Sequence, residues 1–470
     1  MTGALMRILP GRLREWMASR EKLQHVLINV SWLAFDKLLR MGVGLFVGVW
    51  VARYLGATQF GLLNYALALV WLLSPFATLG LDSIVVRELV HAPDEAKANE
   101  IQGTAFALKF IGSLLILAVT IPTVFALRSD TLGRVMVAII AVGTAFQSFD
   151  VIDYWFQSKI RSKFVVWARN GAFLTISVVK IVMLKMHAPL VAFAWASGGE
   201  LMLGAIGLLI CYRIKGQSPM LWRFSVKCAK ALMADSWPLV LTGILITIYM
   251  RIDQLMLGQM SGDASVGLYS AAVKLAEVWY FIPLAFTSSI FPVLLEAKKA
   301  GSEIYANRLQ LMFSGMAALG YVIVIPTVLL SHRLITLIYG HGFSAAGTSL
   351  MVLSWAFLFV CLGLATGNWL IAENFTKLSC LTTGLGAASN IALNFILIPR
   401  YGATGAGVAT LISQFVSVTL AALIIPAARP AFWLQMKGLC LHGLLSYPRI
   451  VSLLRAIRVR QGALAKATDG

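Results

Sequence analysis

Apolar windows of roughly 20 residues recur along this chain, each holding few charges and each closed by a short polar break. We read about twelve of them, at 27–52, 60–80, 104–126, 134–156, 165–184, 189–212, 236–258, 266–292, 309–330, 346–371, 378–398 and 404–426. A window of that length crosses a bilayer as a helix, because each residue adds about 1.5 Å and the hydrocarbon core is about 30 Å thick. Barrel strands would instead show strictly alternating segments of about ten residues. The expected fold class is an all-α polytopic membrane protein with about 12 transmembrane helices.

Composition agrees, since 59% of the 470 residues are hydrophobic and only 13% are charged. A soluble domain of this size carries about twice that share of charge. The charges are also one-sided. Placing the N-terminus in the cytoplasm puts about 26 of the 39 Lys and Arg in cytoplasmic segments and about 6 in the opposite loops. Both termini are then cytoplasmic. The net charge of +19 is dispersed over membrane-flanking segments, which suits anionic lipid headgroups and argues against nucleic acid.

Residues 1–26 form a basic tail without a small-residue cleavage site, so the chain is expected to keep its N-terminus. Six-helix lobes are expected over 27–212 and 236–426, joined by a cytoplasmic linker at 213–235. In that linker Trp222, Val226, Ala229 and Met233 share one helical face and Arg223, Lys227 and Lys230 another, the pattern of a helix lying in the membrane interface. The basic segment 427–470 is expected to carry interfacial helices too, with 431–448 lying on the membrane. The cysteines and histidines are scattered without metal-ligand spacing, and no cofactor is expected.

The lobes repeat each other. "FGLLNYALAL" at 60–69 aligns with "VGLYSAAVKL" at 266–275, matching Gly61 with Gly267 and Ala66 with Ala272. "DYWFQSKIRSK" at 153–163 lies over "GNWLIAENFTK" at 367–377, matching Trp155 with Trp369. Six spans answering six in the same order is a parallel pseudo-two-fold repeat about the membrane normal. Glycines such as Gly42, Gly44, Gly48, Gly384 and Gly386 are read as close helix packing, and prolines such as Pro75, Pro122, Pro283 and Pro326 as kinks.

Charges inside the spans are the candidate chemistry. From an entry near residue 27, Asp36 lies roughly 14 Å deep and Arg40 roughly 20 Å deep, too far for easy snorkelling. Each such charge costs roughly 2.5–3.5 kcal/mol at a span centre, so it needs a partner or a wet cavity. Asp36 and Arg40, four residues apart, can pair on one helix face. Arg40, Arg251 and Lys274, with Lys37 and Lys180, are expected to line a cationic lumen, with Asp36, Asp253 and Glu277 as ion-coupling or orienting partners. Lys109 and Arg169 are expected to snorkel to the headgroups, and Asp150 and Asp153 to sit in a solvated mouth. Deep cations in excess of acids favour an anionic cargo. The absence of a phosphate-cradling P-loop leaves ion gradients, the membrane potential or the cargo's own gradient as the energy source.

"WLAFDKLLRMGVGLFVGVWVARYLGATQFGLLNYA" at 32–66 and "LGLDSIVVREL" at 79–89 closely resemble the start of bacterial O-antigen-type polysaccharide flippases. "YMRIDQLMLGQMSGDASVGLYSAAVKLAEVWYFIP" at 249–283 and "LIPRYGATGAGVATLIS" at 397–413 extend the resemblance over most of residues 25–426. It implies the fold of the multidrug/oligosaccharidyl-lipid/polysaccharide exporter superfamily, with two lobes around a cationic lumen. It further implies a non-enzymatic flippase in the bacterial inner membrane, carrying undecaprenyl-pyrophosphate-linked oligosaccharide to the periplasmic leaflet. On that reading Arg40, Arg251 and Lys274 lead the anion contacts and Lys37 and Lys180 support them, with protons and sodium ions as the candidate coupling ions and the energy source left open. The cargo class spans O-antigen, capsule and exopolysaccharide units, with polysaccharide polymerase and chain-length machinery as partners. The alternatives are a multidrug antiporter on the same plan, which would want unpaired acids for cationic drugs, and a scaffold of polysaccharide assembly, which would not need buried charge. The major facilitator signature is missing from 81–103.

Overall fold

The computed structural model describes residues 21–445, with side chains from residue 37 to residue 443 apart from those of Leu38 and Thr376. Helices account for nearly all of it, and no strand occurs among the described residues. The helices are α1 (Glu21–Thr78), α2 (Leu81–Val90), α3 (Glu95–Leu127), α4 (Thr131–Gly143), α5 (Val151–Ser158), α6 (Lys163–Lys185), α7 (Leu190–Ile214) and α8 (Val226–Met260). They continue with α9 (Gly262–Glu277), α10 (Phe281–Ala300), α11 (Ser302–Tyr339), α12 (Ala346–Ala372), α13 (Thr376–Phe415), α14 (Ala421–Ile424), α15 (Arg429–Leu439) and α16 (His442–Leu445).

Ten helical stretches among the described residues are long and apolar enough to cross a membrane. Two of them, of 52 and 48 residues, are long enough to cross twice. Each is broken by a glycine in the left-handed region, Gly56 in α1 (φ 69°) and Gly402 in α13 (φ 52°). Counting each broken stretch as two recovers the twelve spans expected from the apolar pattern. The protein is a multi-pass membrane protein.

The contacts divide the chain into a first unit ending at Gly267 and a second beginning at Leu268. The first unit thus takes in α8, whose neighbours include α1 and α3. Its core includes Leu81, Val85, Ile101, Val151, Trp155 and Tyr212. That of the second includes Phe313, Met316, Phe357, Leu362 and Trp369. Trp155 and Trp369, matched by the repeat, are each buried in their own core. The backbone repeats as well, since Ile160 (φ 54°) and the matching Asn374 (φ 61°) both turn left-handed after the tryptophan helix.

Span 4 departs from a plain α-helix. Between α4 and α5 the chain tightens into a 3-10 segment, Thr144–Asp150. Thr144 and Ser148 donate their hydroxyls to the carbonyls three residues back, at 2.6 and 2.8 Å. Gly143 lets this stretch lie against Gly198 of α7, where an added Cβ would approach the Gly198 Cα to 2.9 Å. Such mid-helix tightening re-aims the side chains that follow it.

The linker differs from expectation. In 213–235, residues from Val226 onward are the first turns of α8, capped by Ser225, and no separate interfacial helix forms. Of the expected apolar face, Ala229 is buried, Trp222 and Met233 are half-buried and Val226 is exposed, while the adjoining Cys228 and Leu232 pack into the first core. The C-terminal α15 spans 11 residues, far short of a crossing. It docks on its own unit through Gln435, whose amide donates to Thr366 Oγ1 and to the Val418 carbonyl, both at 3.0 Å. Trp433 and Lys437 remain exposed. The basic tail over 1–20 and residues beyond 445 lie outside the described residues.

Close packing of small residues holds the bundle, as apolar surface alone gives helices no reason to associate in lipid. Gly112 of α3 sits where a Cβ would enter the Phe76 carbonyl of α1. Gly112→Val is therefore expected to cost about 1–3 kcal/mol. The check is the melting temperature in detergent, and an unchanged value would show that the α1–α3 contact relaxes freely.

Candidate functional site

The first unit holds a network of charged and polar side chains drawn from five elements, α2, α3, the 3-10 segment, α5 and α6. Lys109 of α3 is fully buried, at 0% exposure. Its ammonium donates to the Tyr154 hydroxyl at 2.6 Å, and Tyr154 donates in turn to the carboxylate of Asp82 on α2. The same ammonium lies 3.8 Å from Asp150 and 4.0 Å from Asp82. Arg169 of α6 bridges Asp150 at 3.0 Å and Asp153 at 2.8 Å. Asp153 also accepts from the Gln157 amide at 2.9 Å. Burial runs in one direction, from Asp82, whose side chain is 61% exposed, to Lys109 and Asp153 within the protein.

A second set adjoins it. Arg40 of α1 pairs with Glu200 of α7 at 3.5 Å and stacks its guanidinium on Phe173, 5.1 Å from the ring centre. Lys180 of α6 is half-buried and feels the Glu200 charge. Arg40, Gln147, Asp150, Arg169 and Glu200 together line a cavity of about 210 Å³. Its walls carry both signs of charge, so a ligand or ion entering it exchanges partners with existing ion pairs rather than meeting bare charge. That exchange is what such a site can do chemically, because in a low dielectric neither charge is stable alone.

The remaining candidate residues lie elsewhere. Arg251 of α8 is half-buried with its guanidinium 5.0 Å from the centre of the Trp71 ring, and Asp253 is buried at 3% exposure. Lys274 and Glu277 of α9 are half-buried in the second unit. Lys37 is exposed. The Asp36 side chain lies outside the described residues.

Two expectations are corrected. Lys109 does not snorkel, because Tyr154 and two carboxylates hold its ammonium inside the protein, and Arg169 is likewise tied to Asp150 and Asp153. Asp153, at 7% exposure, is not in a solvated mouth. Glu200, Asp82 and Tyr154 were not singled out from the sequence. The signal for Glu200 was nonetheless present, since it is the one ionisable side chain in the window 189–212 apart from the terminal tyrosine and a cysteine. An acid so placed is by default a functional candidate.

The family profile for polysaccharide biosynthesis proteins matches residues 26–298. A probable low-salt glycan biosynthesis flippase of Haloferax volcanii, Agl15, is 25% identical over 397 residues, covering 81% of this chain and 79% of its own. The capsular polysaccharide biosynthesis protein CapF of Staphylococcus aureus is 20% identical over 368 residues, covering 76% of this chain and 88% of its own. Among solved structures, the lipid II flippase MurJ in an inward closed conformation superposes with a TM-score of 0.67 at 16% identity, over 87% of this chain and 90% of that one. An inward-facing multidrug resistance MATE transporter of the MOP superfamily gives 0.62 at 14% identity, over 89% and 100%. These two share the fold.

Lys109→Met would set an apolar chain against the buried Tyr154 hydroxyl and leave Asp150 to Arg169 alone, which is expected to cost about 1–3 kcal/mol. Melting temperature and protein level in membranes should fall together. A variant that melts like wild type would show that water satisfies these groups without the lysine.

Proposed function

The chain belongs to the polysaccharide biosynthesis protein family, and from that premise we infer that it is a flippase for a lipid-linked oligosaccharide. Its cargo on this reading is a glycan on undecaprenyl pyrophosphate, carried from the cytoplasmic to the periplasmic leaflet of a bacterial inner membrane. The observation that carries the reading is the charged cavity within the first unit, where Arg40 and Arg169 stand opposite Glu200 and Asp150. A pyrophosphate is the anion for which a paired arginine would leave its acid, since the planar guanidinium fork matches phosphate oxygens. Arg251, Lys274, Lys180 and Lys37 supply further positive charge along the route, while the polyprenyl tail stays in lipid.

Alternating access follows as the mode of transport, because a charged headgroup cannot cross about 30 Å of hydrocarbon unaccompanied. Glu200, Asp150 and Asp153 are the groups through which protons or sodium ions would act, joined by Asp36, Asp253 and Glu277. Binding such an ion neutralises an acid and frees its cation for cargo. A drug antiporter would want acids available to a cationic ligand, and here Glu200, Asp150 and Asp153 each face an arginine. Delivery to the outer leaflet would supply a polymerase and its chain-length machinery.

The test is the leaflet distribution of undecaprenyl-pyrophosphate-linked oligosaccharide in cells lacking this protein, complemented with wild type, Arg40→Ala, Arg251→Ala or Lys274→Ala. Cytoplasmic-side accumulation should be cleared by wild type and should persist, within about a factor of ten of the deletion, in the variants at normal protein level. A distribution that the deletion leaves unchanged, in a strain with no second flippase, would overturn the reading.

A further inference from the structure

The offset that aligns "FGLLNYALAL" with "VGLYSAAVKL" also relates Gly56 to Gly262 and Ala57 to Asp263. The structure turns this into a contact. A Cβ on Gly61 would enter the Asp263 carbonyl, and a Cβ on Gly267 would enter the Ala57 carbonyl. Two repeat-related glycines therefore each receive the backbone of the other's segment, a local two-fold crossing with helices close enough for Cα–H···O contact. Gly56 (φ 69°) and Gly262 (φ 81°) make matching left-handed entries into the two helices that cross. Both segments stand at the same end of the bundle, the end carrying the loops after spans 1, 3, 5 and 7.

A clamp is set over this crossing. Arg128, in the loop after α3, grips Asp263 with two parallel hydrogen bonds of 2.8 and 2.7 Å. Its Nε donates to Asp130 at 2.6 Å, while Asp130 caps α4 through the Gly133 amide. The guanidinium covers the fully buried Tyr65, 4.7 Å from the ring centre, and Tyr65 accepts from the Gln259 amide at 2.7 Å. The side chains of Arg128 and Asp263 are only 11% and 18% exposed. By contrast, Arg87 and Asp235, which join α2 to the start of α8 at the opposite end, are 48% and 49% exposed. A pair that wet holds little, whereas a shielded bidentate pair holds firmly. The glycine crossing is symmetric, but the position matching Asp263 is Ala57, so duplication of the fold does not account for the clamp.

We propose that Arg128 and Asp263 form a latch over the Gly61–Gly267 crossing, holding this end of the bundle shut, and that the latch must part once in every transport cycle. The clause about the cycle rests on the flippase reading, and the latch itself rests on the geometry alone. The crossing is the fulcrum, since two backbones in contact can roll but leave no room for a side chain. The ion pair is the part that breaks.

Leu62, buried beside the crossing at 6% exposure, reports on opening when replaced by cysteine and probed in cells with a membrane-impermeant maleimide. In the Leu62→Cys background, Arg128→Ala and Asp263→Asn should each speed labelling by roughly tenfold or more. Arg128→Lys, which keeps the charge but loses the fork, should fall between. The double variant should label no faster than the quicker single one, because one latch can be lost only once. Should Arg128→Ala fail to reach the membrane, Asp263→Asn and Arg128→Lys carry the test. Labelling at wild-type rate in both would overturn the latch.

The second arm uses Arg128→Cys with Asp263→Cys and a reversible bis-thiosulfonate cross-linker. Cross-linking should halt lipid-linked glycan transport, and reductant should restore it. Transport that continues while cross-linked would overturn the requirement that the latch part. Labelling that responds as expected in a protein whose wild type moves no lipid-linked glycan would sink the flippase reading and leave the latch standing.

Discussion

An ionised side chain placed at membrane depth must find an opposite charge, a polar cavity or water, and that requirement organises the first unit of this protein. Lys109 is the extreme case. With no exposure at all, it forces α2, α3 and α5 to converge, because Asp82, Tyr154 and Asp150 must all come within reach of one ammonium. Arg169 does the same for α6 and the 3-10 segment of span 4. Arg40 and Glu200 tie α1 to α7. The network therefore positions helices as well as offering chemistry. Any ion or headgroup that disturbs one pair changes the balance of forces between helices, which is how local charge exchange becomes movement.

The second organising element is apolar and symmetric. Repeat-related glycines at Gly61 and Gly267 bring two backbones into contact that any larger residue would keep apart. Close approach of this kind is how helices associate where lipid is as apolar as the side chains. It also leaves the crossing without a strong energetic preference of its own. The asymmetric ion pair placed over it supplies that preference. A symmetric pivot with an asymmetric fastener is a physically simple way to give a duplicated fold a favoured state.

The fold was largely legible in the chain. Twelve apolar windows needed only length and hydropathy, and the structure's two broken stretches confirm where the hydropathy pattern separates spans 1 from 2 and 11 from 12. The repeat was legible as well, through Trp155 and Trp369 and through the paired glycines. The site was legible in part. Arg40 stood out by its depth, and Lys180 proves to share the neighbourhood of Glu200. Lys109 and Arg169 misled, because distance along a helix gives depth but not direction. Both lie close enough to a span end to reach the headgroups, yet both turn inward to acids on other helices. The stretch after Val226 misled for a different reason, as its amphipathic pattern does not show that the helix runs on without a break into the following span.

Sequence alone determined that this is a helical membrane protein built by duplication, because hydropathy and span length act on each segment independently of its neighbours. It also determined which charges would be costly. Tertiary structure decided which acid meets which cation, since partners such as Arg40 and Glu200, or Arg128 and Asp263, lie more than a hundred residues apart and meet only when helices pack. It decided, too, that the matched glycines touch rather than merely correspond. The physical reason is the same in each case. Burial energy is a sum over single residues, whereas pairing energy depends on distances between segments that only the packed bundle brings together.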